Sequence, residues 1–397
     1  MRVLLYTGKG GVGKTSLALA SALGAAEHGH RVFVLSTDAA HSLGDALGRP
    51  VGPRPMEVAP GVVAQEVAAL AEVDHSWTEI QKFLQELVAE DASQIAAEEL
   101  LVLPGMEELV SLRAVKQVED TGDFDVCVVD CAPTGSTLQL LRLPDVLRFF
   151  MENFFEFKRR AFRAVRPVAE RIGVGRYIAS DEVFAAFDRL YGEIEDVRQI
   201  LLDVDRTSAR LVVNPLRVVV DETRRSFAYL SLYGVATDGV LVNRVLPESA
   251  SRGYFARWAE REREELREIE SSFPVPLFRA PLHPTEPIGV DALRELAREM
   301  FGARDPAALF THSRPIRLAK SGAQTHLEID LQGAAPGDVD VSAKGDEVLV
   351  RLRDFQRRIS LPASLVGHPV SAVRVDDGVL RITFDTARRA ASGPRSG

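Results

Sequence analysis

A glycine-rich segment near the start of the chain, GKGGVGKT at residues 8–15, places the strongest constraint on the fold. It follows the apolar run RVLLYT at 2–7 and precedes SLALASALGAAE at 16–27, which is rich in alanine and leucine and lacks proline. Strand, loop and helix in this order provide the context in which the G-x-x-x-x-G-K-[ST] pattern binds nucleotide phosphates. The segment therefore predicts a phosphate-binding loop between a strand and a helix.

The residues of this loop have distinct predicted roles. The glycines let backbone N–H groups converge on the phosphates, Lys14 reaches the β- and γ-phosphates of ATP, and the Thr15 hydroxyl ligates Mg²⁺. The predicted nucleotide-binding residues of the loop are Gly8, Lys9, Gly10, Gly11, Val12, Gly13, Lys14, Thr15 and Ser16.

Two aspartates follow predicted strands of the same sheet. Asp130 ends DVCVVD at 125–130, and Asp38 comes shortly after RVFVLS at 31–36. Ligands of open α/β sheets bind at the carboxyl ends of the strands. We therefore predict that Asp130 holds Mg²⁺ together with Thr15, and that Asp38 is catalytic and positions the attacking water. A helix N-cap is the alternative role for either aspartate.

Further apolar runs extend the pattern. ARLVV at 209–213 and DGVLVN at 238–243 are nearly continuous β-branched runs, as in strands that are buried on both faces of a parallel sheet. Helical patterns separate the runs, at 74–90, 179–204, 221–233, 252–271 and 291–301. We predict an α/β fold with a doubly wound, mostly parallel sheet of the P-loop NTPase type over residues 1–310.

The pattern changes after residue 310. Residues 311–324, which include Pro315 and Gly322, are predicted to form a linker. A small all-β sandwich is then predicted over 325–386, from short alternating strands at 326–331, 338–344, 347–352, 356–361 and 379–385. Residues 387–397 have almost nothing apolar to bury and are predicted to be a disordered tail.

Composition argues against several classes of protein. The 57 acidic and 48 basic residues give a net charge of -9, which predicts no nucleic-acid partner. No apolar run reaches the roughly 18 residues that cross a bilayer, and the chain begins with a strand, so we predict a cytoplasmic protein without an integral membrane segment. On an extended strand Cys127 and Cys131 lie about 13 Å apart, too far to form a disulfide or to share a metal.

Three ordered motifs identify a family resemblance over about residues 1–301. KGGVGKT at 9–15, STDAAHSLGDAL at 36–47 and DCAPTGSTLQLLRLP at 130–144 resemble the ArsA and guided-entry family, the ATPases of arsenite pumping and of tail-anchored protein targeting. The resemblance implies a deviant Walker A loop and a head-to-head homodimer. It also implies that Lys9 reaches the nucleotide of the other subunit, so that Lys9 and Lys14 both act in catalysis.

The same resemblance implies which residues contact the nucleoside part of ATP. Asn243, in LVNRVLPE at 241–248, matches an adenine-binding asparagine, and Pro281 and Leu282 begin a loop, PLHPTEPIG, that packs on the base. Asn214 is a weaker candidate for the same side. Ser251 and Tyr254 stand where eukaryotic relatives have two cysteines, so no zinc is expected.

The predicted partner surface lies in apolar segments. Residues 146–162 contain six of the 19 phenylalanines, and residues 100–115 form another apolar helical pattern. The resemblance implies a groove for hydrophobic protein clients, while buried core or subunit interface is the alternative. Residues 325–386 resemble the α-crystallin domain of small heat-shock proteins, which suits either the holding of unfolded segments or simple docking.

Together these features predict a dimeric, Mg²⁺-dependent ATPase that gates the binding of hydrophobic protein segments, as a targeting factor or a chaperone. The alternatives are a motor ATPase of an anion or arsenite pump and a nucleotide-gated holdase or scaffold that needs no turnover.

Overall fold

The structure is a computed structural model that describes residues 1–37, 42–67, 106–131, 181–322 and 324–385. Its first part is built on one eight-stranded sheet. The strands are β1 (Arg2–Thr7), β2 (Val32–Ser36), β3 (Met56–Ala59), β4 (Val62–Glu66), β5 (Val126–Asp130), β6 (Thr207–Val213), β7 (Thr237–Val245) and β8 (Leu277–Pro281).

The sheet has the order β3-β4-β2-β5-β1-β6-β7-β8. All neighbouring strands are parallel except β3 and β4, which form an antiparallel edge. The central strands β2, β5 and β6 are buried along their whole length, because helices cover both faces. The predicted α/β class and the doubly wound, mostly parallel sheet are confirmed.

The described helices are α1 (Lys14–Glu27), α2 (Ser42–Leu47), α3 (Met106–Thr121), α4 (Asp181–Leu202), α5 (Arg217–Tyr233), α6 (Ala256–Ser272) and α7 (Val290–Phe301). Helix α7 shows how sequence periodicity places them. Its buried residues Leu293, Leu296, Ala297, Met300 and Phe301 recur at helical spacing and form one apolar stripe against the core. Among the helices of the described part of the chain, none has the length and apolar character needed to span a bilayer.

The second part is all-β. Its strands are β9 (Ile316–Ser321), β10 (Gln324–Asp330), β11 (Val339–Lys344), β12 (Glu347–Leu352), β13 (Phe355–Ser360), β14 (Val370–Asp376) and β15 (Val379–Asp385). They form a four-stranded sheet, β14-β15-β10-β9, and a three-stranded sheet, β11-β12-β13. The prediction that this small second unit is all-β is therefore confirmed.

The linker prediction missed one strand. Residues 316–321 form β9, which pairs antiparallel with β10 and sets Leu318 opposite Leu327. Pro315 and Gly322 suggested a loop, but they stand just outside the two ends of this strand. Edge strands tolerate such flanking residues because only one side of the strand is hydrogen-bonded.

A buried charged cluster joins the segment after α7 to the large sheet. Arg210 and Asp238 are both fully buried, and Arg210 Nε donates to Asp238 Oδ1 at 3.2 Å. Arg210 also donates to the carbonyl oxygens of Pro306 at 2.6 Å and Ala308 at 3.0 Å. Arg2 donates to the second carboxylate oxygen of Asp238 at 3.0 Å. Burial lowers the pKa of the Arg2 guanidinium, while Asp238 acts to raise it. A single carboxylate thus pairs with two guanidinium groups.

Helix α5 belongs to both parts of the molecule. Ala228 and Leu232 on this helix are buried in the core of the β unit rather than in the core of the large sheet. The ring centroids of Tyr229 and Phe355 lie 4.1 Å apart. Arg357 donates to the carbonyl oxygen of Leu232 at 2.6 Å. The β unit is therefore docked on the C-terminal half of α5.

Candidate active site

The glycine-rich loop is held by strands β6 and β7. Gly13 has a φ of 93°, and a Cβ atom there would lie 2.2 Å from Asn243 Nδ2. The same Asn243 nitrogen donates to the carbonyl oxygen of Val12 at 2.8 Å. A Cβ atom at Gly8 would lie 2.4 Å from the carbonyl oxygen of Val212. Glycine is required at both positions because neighbouring strands approach the loop so closely.

A cavity of about 690 Å³ opens beside this loop. Its volume lies in the range of small-molecule sites. Four regions that are distant in sequence meet there: the loop and start of α1, helix α2, the end of β7, and the chain from the end of β8 into α7. Of the predicted site residues, those that line it are Gly11, Gly13, Lys14, Thr15, Ser16, Asn243, Pro281 and Leu282.

Asn214 lines a different cavity. Its side chain lines a neighbouring cavity of about 600 Å³ together with Leu216, Arg244 and Trp258. Arg244 borders both cavities. Asn214 directly follows β6 and neighbours Asn243 of β7, since Val213 pairs with Val242, but the two residues line different cavities.

Three oxygen-bearing side chains converge at the start of α1. Thr15 Oγ1 donates to Asp130 Oδ2 at 2.6 Å and lies 2.9 Å from Ser42 Oγ. Since the Thr15 hydroxyl has only one proton, Ser42 is the donor in the second bond. Asp130 is 1% exposed at the carboxyl end of β5. Carboxylate and hydroxyl oxygens are the ligands that Mg²⁺ prefers, so these residues fit a magnesium site.

The two lysines of the loop have different surroundings. Lys14 is almost buried, and its Nζ donates to the carbonyl oxygen of Lys9 at 3.4 Å. The Lys9 side chain is 38% exposed, and its Nζ lies 2.9 Å from Glu222 Oε2 on α5. Lys14 therefore lines the cavity of its own chain, whereas Lys9 lies at the protein surface.

Several predicted features lie outside the described residues. These include the catalytic candidate Asp38, the apolar segment 146–162, the helix predicted at 74–90 and the tail at 387–397. The residue before Asp38 is described: Thr37 N donates to the carbonyl oxygen of Asp130 at 3.0 Å. Thr37, the last described residue before Asp38, therefore lies beside the backbone of the predicted magnesium ligand.

The predicted site residues omit several residues of the site region, among them Ser42, Arg244 and Glu222. A signal for Ser42 exists, because it ends the STDAAHS motif at 36–42 just as Thr15 ends the loop motif. Arg244 directly follows Asn243 and adopts a φ of 60°, which no pattern in the sequence indicates. Glu222 is brought to Lys9 only by the packing of α5.

Both cysteines are buried side chains of the core. Burial raises the pKa of the Cys127 thiol to about 12. Cys131 is also buried, and its Sγ donates to the carbonyl oxygen of Val129 at 3.7 Å. The Cys127 thiol is therefore protonated at neutral pH and reacts poorly.

A mostly parallel sheet, a glycine-rich loop between β1 and α1, and an acidic residue ending β5 beside the loop threonine together define a P-loop ATPase. The family described as Anion-transporting ATPase matches residues 1–302, and an HSP20-like domain found in ArsA matches residues 322–384. The chain belongs to the ArsA ATPase family and is an ATP-hydrolysing enzyme.

Relatives match almost the whole chain. It is 35% identical over 393 residues to a putative arsenical pump-driving ATPase of Chlorobaculum tepidum, with 98% of this chain and 97% of that protein covered. It is 32% identical to the putative arsenical pump-driving ATPase 1 of Aquifex aeolicus, with 92% and 95% covered. ATPase GET3C of Arabidopsis thaliana is 29% identical, with 73% of this chain and 80% of that protein covered.

Proposed function

We propose that this ATPase works in the cytoplasm as a Mg²⁺-dependent homodimer whose nucleotide cycle gates the binding of hydrophobic protein segments. The observation that carries the proposal is the position of Lys9. Its ammonium group lies at the surface of its own chain and not in the cavity that Lys14 lines. A second chain that covers this surface would bring its own nucleotide within reach of Lys9.

The residues near the cavity would divide the work of hydrolysis. Thr15 and Asp130 would hold Mg²⁺, with Ser42 orienting the threonine hydroxyl through their 2.9 Å hydrogen bond. The metal supplies positive charge that stabilises the transferred phosphoryl group. Lys14 from the same chain and Lys9 from the partner add further positive charge, and Asp38 positions the water. Asn243, Pro281 and Leu282 would contact the adenine side.

Apolar side chains on the same surface support a subunit interface. Leu216 and Val218, at the start of α5, are 49% and 67% exposed, and Trp258 on α6 is 54% exposed. Glu222, the partner of Lys9, lies one turn further along α5. Exposed apolar groups that cluster in this way commonly mark a protein interface.

Loss of Lys9 tests the dimeric site. We expect Lys9→Ala to lower kcat by about a hundredfold, the low end of the loss when one charge-stabilising donor is removed. Sedimentation of the full chain with a non-hydrolysable ATP analogue should show a dimer for the parent and a weaker dimer for the variant. Lys116→Ala is a matched control, because its side chain is also 38% exposed and ion-paired but lies on α3. A parent-like rate for Lys9→Ala, or a monomer with bound nucleotide, would refute the proposal.

The client part of the proposal rests on the aromatic segment 146–162 and on the HSP20-like domain. It is tested by capture with the Asp38→Asn variant, which should bind ATP but not hydrolyse it. We expect the captured proteins to share one exposed hydrophobic segment and to leave when nucleotide is removed. Capture of hydrophilic proteins alone would contradict a hydrophobic groove. Client release from this variant while ATP remains bound and unhydrolysed would favour the holdase alternative.

A motor ATPase for an arsenite pump is the second candidate, because five relatives are named putative arsenical pump-driving ATPases. The thiols of this chain argue against metalloid binding, since Cys127 and Cys131 are both buried. We expect arsenite to leave the ATPase rate within twofold of its basal value. An arsenite-dependent increase that disappears in Cys131→Ser would show that the motor function is correct.

A further inference from the structure

The contact between Lys9 and Glu222 joins the nucleotide loop to helix α5. The distance between the two charged groups is 2.9 Å, and the side chains are 38% and 34% exposed. An ammonium group that must reach a partner's nucleotide cannot keep this contact unchanged. The acidic partner on the same chain therefore competes with the phosphates of the other chain for Lys9.

The HSP20-like domain contacts the same helix close to Glu222. A side chain at Gly333 would lie 3.3 Å from Arg224 Cβ, so the turn after β10 touches α5 two residues beyond Glu222. Tyr233 donates to the carbonyl oxygen of Gln356 at 3.1 Å near the C-terminal end of α5. The domain thus contacts α5 from Arg224 to its last residue.

We propose that Glu222 is a positioning residue that retains Lys9 on its own chain until a nucleotide-loaded partner takes it up, and that α5 makes this retention depend on the docked HSP20-like domain. The proposal rests on the cross-subunit role of Lys9 described above. It gives the HSP20-like domain a place in the ATPase cycle, as the support that keeps Glu222 within reach of Lys9.

The expected change in dimer affinity follows from the partial exposure of the Lys9–Glu222 ion pair. A partly exposed ion pair contributes up to about 1 kcal/mol, which corresponds to about fivefold in an equilibrium constant. Two Lys9–Glu222 ion pairs, one in each chain, must break when the dimer forms and each Lys9 moves to the nucleotide of the other chain. Removing the retention should therefore tighten the nucleotide-dependent dimer by about two- to twenty-fivefold, for pairs that contribute about 0.2 to 1 kcal/mol each.

The variant Glu222→Gln tests the retention, because glutamine keeps the size of the side chain and removes its charge. We expect the dimer dissociation constant, measured by sedimentation with a non-hydrolysable ATP analogue, to fall by the stated factor. Asp221→Asn is the matched control: it removes the same charge one residue away, next to Arg224 rather than Lys9. An unchanged or weakened dimer for Glu222→Gln, or equal tightening in the control, would overturn the proposal.

A double variant separates this proposal from the proposed function. In Lys9→Ala/Glu222→Gln, the dimer should be no tighter than in Lys9→Ala, because the Lys9 ammonium group that Glu222 retains is absent from both variants. If Lys9→Ala itself dimerises and hydrolyses ATP like the parent, the cross-subunit role has failed. If Lys9→Ala is impaired but Glu222→Gln has no effect in the parent background, only the retention has failed.

The contribution of the HSP20-like domain is tested with Arg357→Met, which removes the bond to the Leu232 carbonyl oxygen while keeping a long apolar side chain. We expect this variant to tighten the dimer in the parent background and to have no further effect in Glu222→Gln. Tightening in neither background, or equal tightening in both, would show that the domain does not act through Glu222.

Discussion

Replacing Asp130 by asparagine is expected to lower kcat for ATP hydrolysis by about a thousandfold, which corresponds to about 4 kcal/mol of transition-state stabilisation. Asparagine retains the shape of the side chain and can still bond to Thr15, but it lacks the negative charge that favours Mg²⁺. The loss should appear in steady-state hydrolysis at saturating ATP and at a magnesium concentration that saturates the parent. A higher magnesium concentration should restore part of the rate.

Asp125→Asn is the control for this variant. Asp125 precedes the same strand β5 at its opposite end, where it is ion-paired with the exposed Arg31. We expect its kcat to be within twofold of the parent. If Asp130→Asn hydrolyses ATP at a rate close to the parent while remaining folded, the carboxylate does not hold the metal, and the assignment of Thr15 and Asp130 is wrong.

The variant Asp238→Asn is expected to reduce the free energy of unfolding by about 3–5 kcal/mol. Asp238 is fully buried and accepts hydrogen bonds from both Arg210 and Arg2. A neutral amide leaves two guanidinium groups without a compensating charge, one of them fully buried. Denaturant unfolding followed by circular dichroism measures the change.

A second variant separates lost charge from lost packing. Combining Asp238→Leu with Arg210→Met removes both members of the buried pair, and apolar replacements of a buried ion pair are commonly less harmful than removal of one partner. We expect the double variant to be more stable than Asp238→Asn. A loss below about 1 kcal/mol for Asp238→Asn, typical of an exposed pair, would contradict the role of this cluster.

In the large sheet, the strands buried on both faces were predictable from the sequence, and the edge strands β3 and β8 were not. The bounds of β1 agree fully with the prediction, and β2, β5, β6 and β7 are found within a few residues, because a continuous apolar run has few other uses. The predictions missed β3, β8, β9 and β14. These strands carry exposed polar residues, such as Arg279 in β8, since one edge or face lies in solvent. β4 was also missed, because its polar Gln65 and Glu66 interrupt the run.

The candidate site was predictable where chemistry requires a local motif. The loop and Asp130 were found because phosphate and magnesium binding need particular residues beside a particular strand. The contact between Asn243 and Val12 was not, since it joins residues 231 positions apart. Glu222 lies in an ordinary helical pattern, and only the packing of α5 against the loop brings it to Lys9.

Helix α5 contributes side chains to the cores of both parts of the molecule, and this has a consequence for the evolution of the sequence. Ala228 and Leu232 complete the interior of the HSP20-like domain, so a descendant that lost residues 311–397 would present these side chains to water. Polar replacements on that helix would have to accompany the deletion. The apolar residues at positions 228 and 232 of the ATPase part thus indicate that an HSP20-like domain packs against α5.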